Sequence, residues 1–344
     1  MNRISGLDLA RFFAFIGMAL VNFNMVMAYT GAPSPIWMSI FEGKAAATFV
    51  TLAGLGLGLA ARKYWGQEFV ITILKRALFL MVIGFLNVTM FTADIIHYYA
   101  FYFLIAIWLA PLRTSTLLAI TGGLILAFPA LFALIEYNQN WDWELLEYID
   151  LWQPQNFLMN LFYNGWHPII PWLGFFTFGM FLSKLELGQP KTAQKLTAIG
   201  TLGLIALPFV SQLAMPLASN FAGASDFNLL STSPIPPGPI YMLTGISAAM
   251  FLIGLCLLLP KAFRQTKLAK ALSATGTHTL THYFAHIFIG MGIIEEFGWL
   301  GTASPEMVLV FTVSYVLVAV MFSYLWANRF KRGPLETVMR RVCG

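Results

Sequence analysis

Charge is scarce in this chain. Only 10% of its 344 residues are Asp, Glu, Lys or Arg, against about 25% in soluble domains. The deficit runs along the whole length, which excludes a separate water-soluble domain. Cysteine is scarcer still, with 2 residues. Cys256 lies in an apolar run and Cys343 in the basic tail, so no disulfide and no thiolate metal site is expected. The first apolar segment lacks the small-residue cleavage site of a secretory signal and carries Asp8 and Arg11. No internal repeat is visible, so the inverted-repeat signature of many transporters is missing. The net charge of +5 is no nucleic-acid footprint, because the cations are divided among short loops where they set topology and meet anionic lipid.

What remains is hydrophobic: 58% of the residues are apolar or aromatic. A bilayer needs about 20 apolar residues per helix. Spans are expected at 8–28, 44–62, 77–92, 95–112, 114–136, 166–184, 196–216, 239–259, 276–296 and 305–327, an all-α polytopic bundle of about ten transmembrane helices forming one domain over 1–344. Loops between them alternate in charge. Arg62, Lys63, Lys75 and Arg76 mark one inner loop, Arg113 the next, and Lys184, Lys191 and Lys195 the third. Lys261, Arg264, Lys267 and Lys270 mark the fourth, and Arg329, Lys331, Arg332, Arg340 and Arg341 the tail. With Arg3, all but two cations fall on one side, so both termini are expected in the cytoplasm. The outer segment 138–156 mixes Trp141, Trp143, Tyr148 and Trp152 with the acids Asp142, Glu144, Glu147 and Asp150 and is expected to be a helix lying in the outer interface. Residues 217–239, rich in Ser, Asn, Gly and Pro, read as an outer loop.

The two exceptional cations are Arg11 and Lys44. Asp8 and Arg11 stand three apart and share a helix face, and Asn22 lies about three turns further along it. The stripe reads either as a structural ion pair with an interhelical amide bond or as contacts along a substrate channel. Lys44 follows Glu42-Gly43 and precedes Gly54, Gly56 and Gly58, small residues that suit close helix packing. It is a snorkelling boundary lysine or a polar contact of the site. His97 opens the fourth span. His167 sits in Asn164-Gly165-Trp166-His167-Pro168, where Pro168 and Pro171 deny regular helical bonding. Irregular backbone at membrane depth is tolerated where it is buried or lines water, so His167 is a candidate base or an interfacial cap. His278, His282 and His286 follow at spacings of four on one face of the ninth span. No Glu completes a zinc motif, and no metal is expected. His286, the deepest, is the best placed of the three for proton transfer.

These residues also carry a resemblance. Leu7-Asp8-Leu9-Ala10-Arg11, Gly17-Met18 and Val21-Asn22-Phe23 are similar to the first helix of bacterial YeiB-like membrane proteins and of heparan-α-glucosaminide N-acetyltransferase. Phe41-Glu42-Gly43-Lys44-Ala45, Tyr163-Asn164-Gly165-Trp166-His167-Pro168, Leu280-Thr281-His282-Tyr283 and Arg332-Gly333-Pro334-Leu335-Glu336 resemble further YeiB-like segments, in family order. The resemblance implies a transmembrane acyltransferase of the bacterial inner membrane. Acyl-CoA would be the cytoplasmic donor, and the acceptor a sugar, lipid or small molecule on the outer side. Many of the wider group carry Arg, ten residues, then His in the first helix; here Asn22 takes that place, and residues 23–43 hold no His. The base therefore stays open between His167 and His286. Arg11 would meet the donor with Asp8 orienting it, and Asn22 or Lys44 would supply hydrogen bonds. His97 and Trp166 complete the expected substrate contacts. A small-solute transporter and a non-catalytic accessory protein of an envelope pathway remain alternatives. Membrane lipid is an expected partner, nucleic acid is not, and a homo-oligomer is compatible with the sequence.

Overall fold

The computed structural model describes residues 4–29, 35–218 and 228–344. Arg3 and the centre of the expected outer loop, 219–227, lie outside the described residues. The chain runs α1 (Ser5–Met27), α2 (Lys44–Tyr64), α3 (Gln67–Val88), α4 (Ile96–Leu109) and α5 (Thr114–Phe132), then strands β1 (Trp141–Asp142) and β2 (Glu147–Tyr148). It continues through α6 (Pro154–Met159), α7 (Ile169–Leu182), α8 (Pro190–Ala218), α9 (Pro239–Leu258), α10 (Lys261–Gln265) and α11 (Lys267–Thr277). The last elements are α12 (Thr279–Ala285), α13 (Gly292–Glu296), α14 (Pro305–Ala327) and α15 (Pro334–Cys343). Among the described residues seven helices are long and apolar enough to cross a membrane, and α4 and α7 are shorter apolar helices. On α8, Leu202, Ile205, Phe209 and Leu213 are exposed at helical spacing, an apolar stripe that requires lipid rather than water.

Three expectations change. α3 starts ten residues before the expected 77, because Lys75 and Arg76 are good helix formers and continue the helix past the membrane boundary. The outer segment is no interfacial helix. Trp141–Asp142 pairs with Glu147–Tyr148 in a small antiparallel hairpin. Asn140, Leu146 and Asp150 are left-handed, and Asp142 Oδ1 accepts the amides of Glu144 and Leu145, a turn that competes with helix. The stretch 276–296 is no continuous helix either. It breaks at His278 (φ −103°, ψ 23°) between α11 and α12, and widens into a π-helical turn over His286–Met291.

The residues form two compact units. The first holds Met1–Phe49, Leu187–Ala198 and Met250–Arg341. In it α1 runs parallel to the broken helix. A side chain at Gly276 would strike the Asp8 carbonyl, Phe15 packs on His282 and Gly290 abuts Phe23. α14 runs antiparallel, with Phe311 on Phe23 and Ser323 on His282. The C-terminal end of α9 reaches the start of α1, since Gly6 abuts the Cys256 carbonyl. Lys261, Arg264, Lys267, Lys270, Arg329 and Lys331 consequently gather at the end where α1 begins.

The second unit holds Val50–Glu186, Ile199–Ala249 and Val342–Gly344. The small-residue packing expected around Gly54 and Gly58 is present. Gly54 lies against the main chain of Phe176 and Gly58 against Ser183, while Gly179 answers from α7 against Thr51. A side chain at Gly54 or Gly179 would overlap backbone, which cannot move aside. Arg62 donates to the Ser183 carbonyl at the end of this contact. α3 and α4 form an antiparallel pair in which Gly84 abuts His97. α5 and α7 are joined by the Thr121–Thr177 hydroxyl pair (2.7 Å).

Candidate functional site

In the first unit the polar stripe of α1 has partners. Arg11 donates to Asp8 at 2.7 Å, with Asp8 almost buried and Arg11 about a quarter exposed (side chains 7% and 26%). Asn22 meets His286 at 2.9 Å, across 264 residues of sequence. His286 Nδ1 is hydrogen-bonded to the Tyr283 carbonyl. A carbonyl can only accept, so Nδ1 carries the proton and Nε2 presents its lone pair, into which the Asn22 amide donates. The π-helical turn starting at His286 sets this register on α1. His282 turns instead to the Ser323 hydroxyl (2.6 Å). The three histidines expected on one face thus divide: His278 at the break, His282 to α14, His286 to α1. Lys44 donates to the Ser39 carbonyl (2.6 Å), within its own approach to α2.

The tail contributes a residue that sequence reasoning did not single out. Glu336 Oε1 accepts the amides of Leu280 and Thr281 (2.8 and 3.2 Å), and Oε2 accepts the Thr281 hydroxyl (2.6 Å). It thereby satisfies the open N-terminus of α12, one turn before His282. Burial pushes the Glu336 carboxyl above the ordinary 4.5, against the pull of those hydrogen bonds. A carboxyl raised in the folded state binds its proton more tightly there than when released. Its docking is therefore strongest below the ordinary value and weakens as pH rises through the raised one. Hydrogen exchange over 334–343 is expected to quicken across that window in the native protein and to lose that dependence in Glu336→Gln.

The second unit gathers His97, Trp166 and His167 around two buried polar knots. Asp94 is fully buried. It accepts from Asn87 Nδ2 (2.7 Å), from the amide of His97 (2.9 Å) and from His97 Nδ1 (2.8 Å). Asp94 was missed in the sequence, although Asp94 and His97 repeat the three-residue spacing of Asp8 and Arg11. Tyr98 donates to Asn160 (2.6 Å) and Tyr102 to the His167 carbonyl (2.6 Å). Asn164 binds the Tyr137 and Gln139 carbonyls and accepts from Tyr148, while its own carbonyl takes Trp141 Nε1. Much of the Asn-Gly-Trp-His-Pro motif is therefore scaffold that pins the outer hairpin. Pro168 precedes α7, and Ile170 is non-helical (φ −102°, ψ 113°). Among the described residues no group of three His, Cys, Asp or Glu is arranged to hold a metal ion.

Residues 3–215, well over half of the chain, match the family described as heparan-alpha-glucosaminide N-acetyltransferase, catalytic. The chain belongs to that family. Residues 189–343 also match a protein family of unknown function, DUF418, the YeiB-like group. No curated protein and no solved structure matches the chain. Membership of the N-acetyltransferase family and the seven apolar helices make this a multi-pass membrane protein. Within the family match lie Asp8, Arg11, Asn22, Lys44, His97, Trp166 and His167, whereas His286 falls in the YeiB-like part.

Proposed function

We propose that the protein is a transmembrane acyltransferase of the bacterial inner membrane, taking acyl groups from cytoplasmic acyl-CoA to an acceptor on the outer side. The observation that carries the reading is the Asn22–His286 pair on the first helix of an acetyltransferase-family chain. The family position on α1 holds an amide with no basic lone pair, and an imidazole from a distant helix stands beside it. His286 takes the acceptor's proton through Nε2 as the acceptor attacks the thioester carbonyl, Asn22 holds the ring and then the carbonyl oxyanion, and when the C–S bond breaks the imidazolium returns its proton to the departing CoA sulfur. Arg11 lies about 16 Å nearer the start of α1, from 11 residues at 1.5 Å each, with Asp8 a further turn along, and there Arg11 meets the donor. The gathering of basic residues at that end supports a cytoplasmic location for it and for both termini. The broken helix, α4 and α7 added to the seven long helices support ten crossings in a single acyltransferase-like domain.

Purified protein in detergent is expected to bind acetyl-CoA and to release CoA slowly in the absence of acceptor, read by thiol trapping. Binding of a small solute with no thioester loss would favour a transporter and overturn the proposal.

A further inference from the structure

The end of the chain carries exposed charge of one sign and a buried link to α12. From Arg329 onward stand five cations, Arg329, Lys331, Arg332, Arg340 and Arg341, and all five are exposed. Among the described residues no carboxylate forms an ion pair with any of them. The segment's single acidic side chain, Glu336, is turned inward onto the amides of Leu280 and Thr281. The Thr281 hydroxyl closes the joint, giving its proton to Glu336 and accepting the Leu335 amide (3.1 Å).

α15 begins where the membrane ends. Leu317, Met321 and Leu325 form an exposed apolar stripe along α14. Towards the end of that helix Phe322, Trp326 and Phe330 stack, with successive ring centroids 5.5 and 4.4 Å apart. Aromatic residues collect in this way at the boundary between acyl chains and headgroups. Trp326 Nε1 donates to the Arg332 carbonyl (2.8 Å), which ties the approach to α15 to that boundary. Around α15 itself the helical repeat sets out three sectors. Glu336 faces the protein. Val338 and Val342, one turn apart, are exposed on another face. Between these two faces Leu335 and Met339 run half-buried along one flank, and Arg341, Thr337 and Arg340 along the other, with both arginines exposed. A helix with valines on one face, cations beside them and protein behind fits the plane of a bilayer surface. Unpaired cations at that surface select anionic headgroups, and the tie to the aromatic boundary favours lipid over a soluble protein as the occupant.

We propose that α15 is a clamp held by anionic phospholipid: headgroups bind Arg340 and Arg341, and that contact keeps Glu336 seated on the first turn of α12. Because α12 leads into His286, the clamp regulates the candidate base, a consequence that rests on the acyltransferase reading.

Hydrogen exchange of the full-length protein in phosphatidylcholine nanodiscs, with and without about one third phosphatidylglycerol, tests the clamp. The anionic discs are expected to slow exchange about tenfold or more at 334–343 and, with it, at 280–283. Arg340→Gln/Arg341→Gln is expected to abolish both effects, and Arg340→Lys/Arg341→Lys to keep them. In Glu336→Ala the lipid should still slow 334–343 but no longer 280–283. Equal exchange in the two discs, or a lipid effect that survives the Gln variant, would overturn the proposal. So would slowing of the tail alone in wild type, or slowing of 280–283 that persists in Glu336→Ala. Equal slowing by millimolar inorganic phosphate in neutral discs would assign the cations to a soluble anion and overturn it too. The readout is amide exchange, so failure of the clamp and failure of acyl transfer are told apart.

Discussion

Replacing His286 by Ala is expected to lower acyl transfer by about 10²–10⁴-fold, the range typical of a lost general base. The ring is fully buried and held at both nitrogens, Nδ1 by Tyr283 and Nε2 by Asn22. No other described histidine lies against α1 at that level, so no neighbour can replace the lone pair. Asn22→Ala keeps the base but frees its ring, and a smaller loss, about tenfold or more, is expected. The double variant should be no worse than His286→Ala, because Asn22 acts through the ring it holds. Turnover of acetyl-CoA in matched membranes measures all three. If His286→Ala retains more than half of the wild-type rate, His286 is structural and the assignment fails.

Removing the Asp94 carboxylate should give the largest loss of stability. Asp94→Ala strands three donors at once, the Asn87 amide, the His97 main-chain N–H and His97 Nδ1, in surroundings with almost no water. Breaking a buried charged network from one side costs about 3–5 kcal/mol. Asp94→Asn preserves the shape and an oxygen for one donor, so it should recover part of the loss. Denaturant unfolding in detergent would show the order wild type, Asn, Ala. An Ala variant within about 0.5 kcal/mol of wild type, the usual range for surface changes, would mean the knot is solvated.

Much of the architecture was legible because the membrane makes it so. Apolar runs such as 305–327 and 239–259 coincide with α14 and α9 to within a residue, since a bilayer admits few lengths of helix. The Asp8–Arg11 pair was legible from its spacing alone. Its neighbour on the stripe was not. Nothing in the local sequence says that Asn22 meets His286, and the π-helical turn that makes the register possible has no composition signal. Equal spacing of His278, His282 and His286 suggested one shared face, but a break before the second and the π turn at the third send them to different partners. The outer hairpin was hidden in the same way. Its aromatics and acids suited an interfacial helix, and only the left-handed Asn140, Leu146 and Asp150 with the Asp142 turn exclude one.

The last twelve residues deserve a different kind of caution from anyone shortening the chain. A stop codon just before Gly333 would delete only a surface helix. It would also withdraw the carboxylate that Glu336 lends to Leu280 and Thr281. The first turn of α12 would fray, and with it the footing of His282 and His286. Such a truncation would be scored as loss of a tail and would behave as damage to the middle of the protein.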